Sequence, residues 1–567
     1  MDLSSVTLPL VVALSVLLFL RRHNNRRSYS LANLPGPKSR SWWRGNFGEA
    51  LNSDAWKFHE QLLKEYGQIA RIDGFMGDKQ LLIFDPKAMH HVLVKDATMY
   101  EGTSVTDNAL IIGKGLSGIT GNAHRKQRKA LNPVFSIAHM RDMVPIFWEV
   151  VDKLESGLSA KFTNDRSSSQ PQEIEMLSWM SRTALELIGQ AGLGYSFDNL
   201  SAEAEAHPYP GIIKQLHITG GRMWFVRNYV LQWALKIGTP SFRRRVLDMI
   251  PWKDGHHMRD MSDYSWEMSK QIYDGKKKAL AEGDEAVAQQ VGKGKDIMGI
   301  LMRLNTEEEH DSENKLDEDE VVGQMAILVF AAMDTTSGAL ARILYLLAAH
   351  PEVQDKLRRE ILEVRSENKH ISYDQLVSDL PYLDAICRET LRLFPPLPHV
   401  FRYALQDTVL PLSTPITGND GTPITELHVP KDTRIMISIL NSNRNPAIWG
   451  PDALEWKPER WLSPLPNEVV EAHIPGVYSH LYGAFFSLML TIWRLNILAF
   501  RMTFNAGRRS CIGFKFSQLE MILSMLVAEF EFSPSQKDVF WQMNSITMPA
   551  LEGNRQAPQL PLIVNKI

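Results

Sequence analysis

Phe504-Asn-Ala-Gly-Arg-Arg-Ser-Cys-Ile-Gly513 is the stretch on which the reading of this chain turns. A cysteine set between glycines, with Arg508 and Arg509 beside it, has the form of a thiolate held ready for a metal. Positive charge favours the ionised sulfur, and glycine lets a backbone turn tightly and approach a flat ligand. Only two cysteines occur in the 567 residues, Cys387 and Cys511. That count excludes a disulfide framework and suits a reducing compartment. It also removes cysteine-rich zinc and iron–sulfur sites, so a cysteine ligand here acts nearly alone.

The spacing Phe-x-x-Gly-x-Arg-x-Cys-x-Gly, carried by Phe504, Gly507, Arg509, Cys511 and Gly513, resembles the haem-binding loop of the cytochrome P-450 family at every fixed position. Average residue usage would produce that pattern by chance in on the order of one in ten thousand such chains. The resemblance implies heme b as cofactor, with Cys511 as the axial thiolate ligand of the iron and the other four residues shaping the loop around it.

The remainder of the chain allows this. Its length suits two to four ordinary domains or one unusually large fold. Hydrophobic residues at 44% and charged residues at 22% permit a large core. A net charge of −3 gives no reason to expect nucleic acid.

Residues 3–20 form an apolar run of 18, followed by Arg21, Arg22, Arg26 and Arg27. The run is just long enough to span a bilayer, and the arginines put its C-terminal side in the cytoplasm. Charge after rather than before the apolar region, with no small-residue cleavage site, favours an uncleaved anchor over a signal peptide. Residues 1–27 are therefore expected to be a membrane anchor with a basic flank, and residues 28–567 the catalytic domain. Leu34-Pro-Gly-Pro-Lys38 resembles the proline-rich hinge of microsomal family members, although its residues alone fit an ordinary linker. Residues 66–84 read as helix end, strand, turn and strand.

Asn122-Ala-His-Arg-Lys-Gln-Arg-Lys-Ala130 reads as a basic helix stopped by Asn132-Pro133, with His124 and Arg128 on one face. Charge runs usually face water. The family, however, places a Trp or His and an Arg at this spacing against the haem propionates, which implies that role for His124 and Arg128. Arg125, Lys126 and Lys129 would then add to a basic face for an acidic electron donor. Residues 140–300 give amphipathic helical patterns without a catalytic motif. Within them, residues 220–252 are rich in Met, Trp, Phe and Val, most of which read as core. The family uses this region as a lid over the substrate channel. Asn199-Leu-Ser201 matches a glycosylation acceptor that a cytoplasmic domain would not expose to that machinery.

Residues 318–350 read as a long helix, with acidic residues at the start, 3.6-residue apolar periodicity and Pro351 beyond the end. In its middle lies Ala331-Ala-Met-Asp-Thr-Thr336. Adjacent threonines are poor mid-helix residues whose hydroxyls bond back to the preceding turn, so they mark either a buried bend or a function. The segment resembles the family's oxygen-activation motif, with Ala332 where glycine is usual. That implies Asp334 as proton relay and Thr335 as hydrogen-bond partner of dioxygen. Phe330 and Met333 are expected to face the pocket, with residues 105–116 and 396–401 lining it.

Glu389 and Arg392 share a helical turn ahead of Pro395-Pro396 and upstream of Pro458-Glu-Arg-Trp461. In the family this order carries a buried ion-pair network, here Glu389, Arg392 and Arg460. Arg402 matches a propionate-binding arginine more loosely, and Cys387 reads as a buried structural thiol. Residues 514–532 read as a helix whose N-terminus points at the sulfur, and residues 559–564 as a terminal strand.

Residues 482–501, just before the cysteine loop, are nearly as apolar as the N-terminal run. A second membrane span, a genuine insertion and translated sequence from an unremoved short intron compete here. Arg494 and Asn496 near the middle disfavour a span. Removing the 20 residues leaves an ordinary family approach to the loop and preserves the frame, which favours the intron.

The resemblance covers nearly all of the chain from Pro35 onward. It implies a mainly α fold with small β-sheets, the cytochrome P-450 fold, behind an N-terminal transmembrane helix in the endoplasmic reticulum membrane. The implied activity is hydroxylation of a hydrophobic small molecule, such as a terpenoid, steroid or polycyclic aromatic, with dioxygen. Electrons would come from NADPH through a flavoprotein reductase, in secondary metabolism or xenobiotic oxidation. Two rival readings are a haem-thiolate isomerase or dehydratase, and a non-catalytic membrane protein whose apolar insertion prevents haem binding.

Overall fold

The computed structural model describes residues 31–103, 105–163, 170–306, 315–366, 368–475, 502–513 and 518–567. The expected anchor at residues 1–27 and the apolar segment 482–501 lie outside them. The chain is mainly helical with small sheets and divides into two compact units.

The first unit draws its described residues from Met1–Thr103, Pro398–Glu455 and Leu465–Cys511. Its core is a five-stranded sheet in the order Ile69–Asp73, Lys79–Ile83, Arg434–Ser438, His399–Ala404 and Tyr100–Gly102. The first two strands pair antiparallel with Ile69 opposite Ile83, as the turn residues between them lead one to expect. Lys79–Ile83 then runs parallel to Arg434–Ser438, with Leu82 opposite Met436. Leu81, Leu82, Ile83, Ile435 and Ile437 are fully buried. Continuous rather than alternating burial belongs to a sheet covered on both faces, and each such side chain contributes about 1.5–3 kcal/mol. The Pro-Gly-Pro segment is no loose linker. The Pro35 carbonyl accepts a hydrogen bond from the Arg71 amide at 2.9 Å, so the segment runs against the edge strand. A Cβ on Gly36 would lie 1.9 Å from the Arg71 carbonyl oxygen, which is why glycine stands there.

The second unit draws on Ser104–Leu397, Trp456–Pro464 and Ile512–Ile567. Its axis is the helix Glu318–Ala349, close to the sequence expectation. A capping box starts it: the Asp317 side chain accepts from the Glu320 amide while Glu320 accepts from the Asp317 amide. Such a cap is worth about 1 kcal/mol. This is the one helix among the described residues long and apolar enough to cross a membrane, and it is instead a core helix. Met176–Leu187, Tyr209–Arg222, Lys253–Glu282 and Pro381–Leu393 pack on it. Its apolar residues Val321, Met325, Val329 and Met333 join Leu185, Ile213, Ile272 and Leu301 in one cluster.

Three expectations need correction. Most large apolar residues of 220–252 are not core: Val230, Trp233, Ile237, Phe242, Met249 and Ile250 are exposed, and the helix Pro240–Met249 buries none of its residues. The last helix is Gln518–Glu529, and Phe530–Pro534 is a strand zipped antiparallel to Pro561–Lys566. Alternating burial along Phe530–Pro534 is that of a strand, and pairing with a segment thirty residues away overrides the local helical pattern. Met333 packs fully buried in the apolar core, whereas Phe330 on the next face is half-buried.

Candidate functional site

In the first unit, short helical turns at Met502–Phe504 and Gly507–Arg509 shape the cysteine loop. Buried Asn443 fixes its entry, accepting from the Met502 amide and donating to the Thr503 hydroxyl, both at 3.0 Å. The Cys511 amide donates to the Phe504 carbonyl at 2.8 Å, closing the loop on itself. Gly507 is indispensable on two counts: φ is +66°, and a Cβ would sit 1.9 Å from the Leu93 carbonyl oxygen. Gly513 carries no such demand, since a Cβ there meets nothing within 4 Å. Cys511 is exposed and outside any disulfide, whereas Cys387 is buried.

Two guanidiniums accompany the loop. Arg509 is paired with Glu101 at 3.1 Å, and Arg402, on the strand His399–Ala404, is almost wholly buried. Arg402 Nη1 donates to the Phe401 carbonyl at 2.9 Å. Burial, with Arg509 adding to it, pushes the Arg402 pKa down to about 10. Among the described residues two cations face one carboxylate in a partly dry setting, which suits a ligand carrying carboxylates. An exposed thiol on a loop held in shape by backbone packing, with these cations beside it, fits haem with its anionic propionates.

In the second unit, the basic helix spans Gly121–Leu131 with His124, Gln127 and Leu131 buried. Arg128 is half-buried on the His124 side, while Arg125 and Lys129 are exposed. The purely solvated reading therefore fails for His124. Lys126 does not join an outward basic face, since it lies 3.6 Å from Glu320. Gln127 bridges the helix to Glu320 at 3.2 Å and to the Lys114 carbonyl at 2.9 Å.

On the central helix, Thr335 Oγ1 donates to the Ala331 carbonyl at 2.6 Å, the back-bond its position implies, yet the helix runs unbroken. Ala331 is exposed and Thr335 half-exposed, an opening in an otherwise buried helix. Asp334 points the other way. Its side chain is fully buried, and Oδ1 accepts from Lys214 Nζ at 2.8 Å. His217 Nε2 lies 3.5 Å from Oδ2. Lys214 and His217 fall within residues that read as lacking any catalytic motif. Their trace in the sequence is two basic groups three apart, on one face of a helical stretch.

Glu389, Arg392 and Arg460 do come together. Arg392 Nε and Nη2 each donate to Glu389 at 2.8 Å, and Arg460 Nε does so at 3.3 Å. Trp461 Nε1 at 2.9 Å and the Lys457 amide at 3.1 Å complete this cage, neither legible as a partner beforehand.

A family model described as Cytochrome P450 matches residues 35–554. The chain is 47% identical over 541 residues to cytochrome P450 monooxygenase 91 of Postia placenta, covering 95% of this chain and 94% of that protein. Cytochrome P450 monooxygenase 81 of the same fungus is 44% identical, with 97% and 96% covered. A ganoderic acid synthetase of Ganoderma lucidum is 40% identical, with 100% and 99% covered.

Proposed function

We propose, given that this chain belongs to the cytochrome P450 family and is a haem-thiolate monooxygenase, that Cys511 is its iron ligand and that a hydrophobic small molecule is its substrate. The shape of the cysteine loop carries this reading: Gly507 seats the backbone against Leu93 and leaves Cys511 exposed beside Arg402 and Arg509. Phe504, Gly507 and Gly513 would shape the loop and Arg402 and Arg509 would hold propionates, a role that the family resemblance also gives to His124 and Arg128. When bound, haem would supply dioxygen activation, in which two electrons and two protons leave one oxygen atom in a substrate C–H bond and the other as water.

The chain's own residues bind, orient and supply protons. Asp334 passes protons inward, since cleavage of dioxygen consumes protons that an apolar pocket does not provide. Thr335 offers its hydroxyl at the opening beside Ala331. To donate to oxygen, that hydroxyl must leave the Ala331 carbonyl, so the back-bond acts as its resting position. Electrons come from NADPH through a membrane-bound flavoprotein reductase, and residues 3–20 anchor the protein in the endoplasmic reticulum membrane. A relative named for ganoderic acid synthesis supports a role in secondary metabolism, on a terpenoid, steroid or comparable apolar compound.

The test is the carbon monoxide difference spectrum of the reduced protein. Wild type should show the thiolate–haem band and Cys511→Ser should lose it; a variant retaining the band would remove Cys511 as ligand. A substrate-binding spectral screen across terpenoids, steroids and polycyclic aromatics then identifies the substrate class.

A further inference from the structure

Asp334 is the end of a line of polar groups that the sequence motifs do not include. The helix Tyr209–Arg222 places Lys214 and His217 three residues apart, on one face, against it. Lys214 holds Oδ1 at 2.8 Å, which leaves Oδ2 turned toward His217 Nε2 at 3.5 Å. Both Oδ2 and Nε2 are buried and neither has a hydrogen-bond partner among the described residues. On its other side, His217 Nδ1 lies 3.3 Å from the Ser545 hydroxyl. Ser545 is exposed, in the turn between the strands Val539–Met543 and Thr547–Leu551. The Phe330 ring, 4.7 Å from the imidazole, packs against it.

Two buried polar atoms facing each other just beyond bonding distance are costly in a fold that needed neither, and such orphans call for an explanation. A movement of a few tenths of an ångström would join them. Burial pushes the His217 pKa down, Lys214 and Arg227 push the same way, and Asp334 opposes. The ring is therefore neutral at physiological pH, with one nitrogen to accept a proton and one to release it.

We propose that His217 supplies protons to Asp334 from the solvent-facing Ser545 hydroxyl, acting through Asp334 as a positioning residue for the reaction. This rests on the reading of Asp334 as a relay. In each delivery the Nε2 proton passes to Asp334 Oδ2 while Nδ1 takes the Ser545 proton, and water restores the serine. The ring then carries its hydrogen on Nδ1, and tautomerisation by exchange with water, with loss of the Nδ1 proton and gain of one at Nε2, restores the resting form. Lys214 is the clamp: its ammonium holds Oδ1 at 2.8 Å and leaves Oδ2 to His217.

The holoenzyme decides this through two measurements. Nitrogen-15 spectra of histidine-labelled resting protein, with His217 assigned by its loss in His217→Gln, should show a neutral ring bearing hydrogen on Nε2. Hydrogen on Nδ1, or a charged ring at pH 7, would overturn the proposal. In turnover, His217→Gln should bind substrate with an unchanged spectral shift. It should lose about tenfold or more in product formed per NADPH, with a larger solvent isotope effect and a displaced pH profile. If Asp334→Asn impairs coupling but His217→Gln does not, Asp334 remains the relay and His217 is not its source. If Lys214→Met then reproduces the deficit, the proton enters at Lys214 and the proposal fails. If neither Asp334→Asn nor His217→Gln changes coupling, the relay reading itself falls. Should His217→Gln fail to load haem, the wild-type tautomer and Ser545→Ala still decide: an unchanged isotope effect in Ser545→Ala would refute entry through that hydroxyl.

Discussion

Glu389→Gln is the sharpest probe of what holds the second unit together. The Glu389 and Arg392 side chains are both wholly buried, and that of Arg460 is only 6% exposed. Glutamine keeps the size but removes the charge that both guanidiniums face. It also turns an amide NH2 toward donors, so at least one of Arg392, Trp461 and the Lys457 amide loses its acceptor. Removing one partner of a buried pair costs about 3–5 kcal/mol, because the remaining charge loses the carboxylate that offsets its desolvation. Against a total of about 5–15 kcal/mol, that is a large share of the stability. Arg460→Gln should cost less, about 1–3 kcal/mol, since its contact is longer and Arg392 still neutralises the carboxylate. Urea unfolding followed by tryptophan fluorescence and circular dichroism measures both. The exposed pair Arg141–Asp374 is the control, and Arg141→Gln should leave the midpoint unchanged. A loss below about 1 kcal/mol for Glu389→Gln would refute the reasoning, since it would put this cage on a level with surface pairs.

Gly507→Ala should sharply lower both thermal midpoint and haem content, because the new Cβ meets the Leu93 carbonyl at 1.9 Å at φ +66°; Gly513→Ala, with nothing within 4 Å, should leave the thermal midpoint in place. Buried His59, stacked on His399 at 4.6 Å, has its pKa pushed down to about 4 by burial. The unfolded ring takes its proton near pH 6.5, so stability is retained above that value. It falls by about 1.4 kcal/mol per pH unit as pH drops from 6.5 toward 4. His59→Phe should flatten that part of the stability–pH curve by about one proton, and an unchanged slope would count against it. Sequencing the mature transcript should find the codons for residues 482–501 removed, and messages that uniformly retain them would end the intron reading.

Much of the second unit was legible because its signals are local. The helix Glu318–Ala349 announces itself through acidic residues at its start, apolar periodicity and Pro351. The Glu389–Arg392 pair reads from a three-residue spacing, and Arg460 joins it only through the order of motifs along the chain. Residues 530–532 misled because they directly continue the apolar run of the preceding helix, while the deciding partner is the strand Pro561–Lys566. The apolar stretch 220–252 misled because composition cannot say whether any surface exists to cover it.

By itself, the sequence determined the kind of protein this is. A cysteine loop of fixed spacing and an Asp-Thr pair in a strong helix are short-range patterns, and each can be read without knowing what lies opposite. Only the tertiary structure decided what each group answers to. Gly507 is required by a carbonyl more than four hundred residues earlier. The Arg402 cation is disfavoured because burial strips its water and Arg509 shares its surroundings. Asp334 is held by Lys214 and faced by His217 from a helix with no motif of its own. Such pairings arise from packing, and the energy that fixes them depends on distance and burial rather than on separation along the chain.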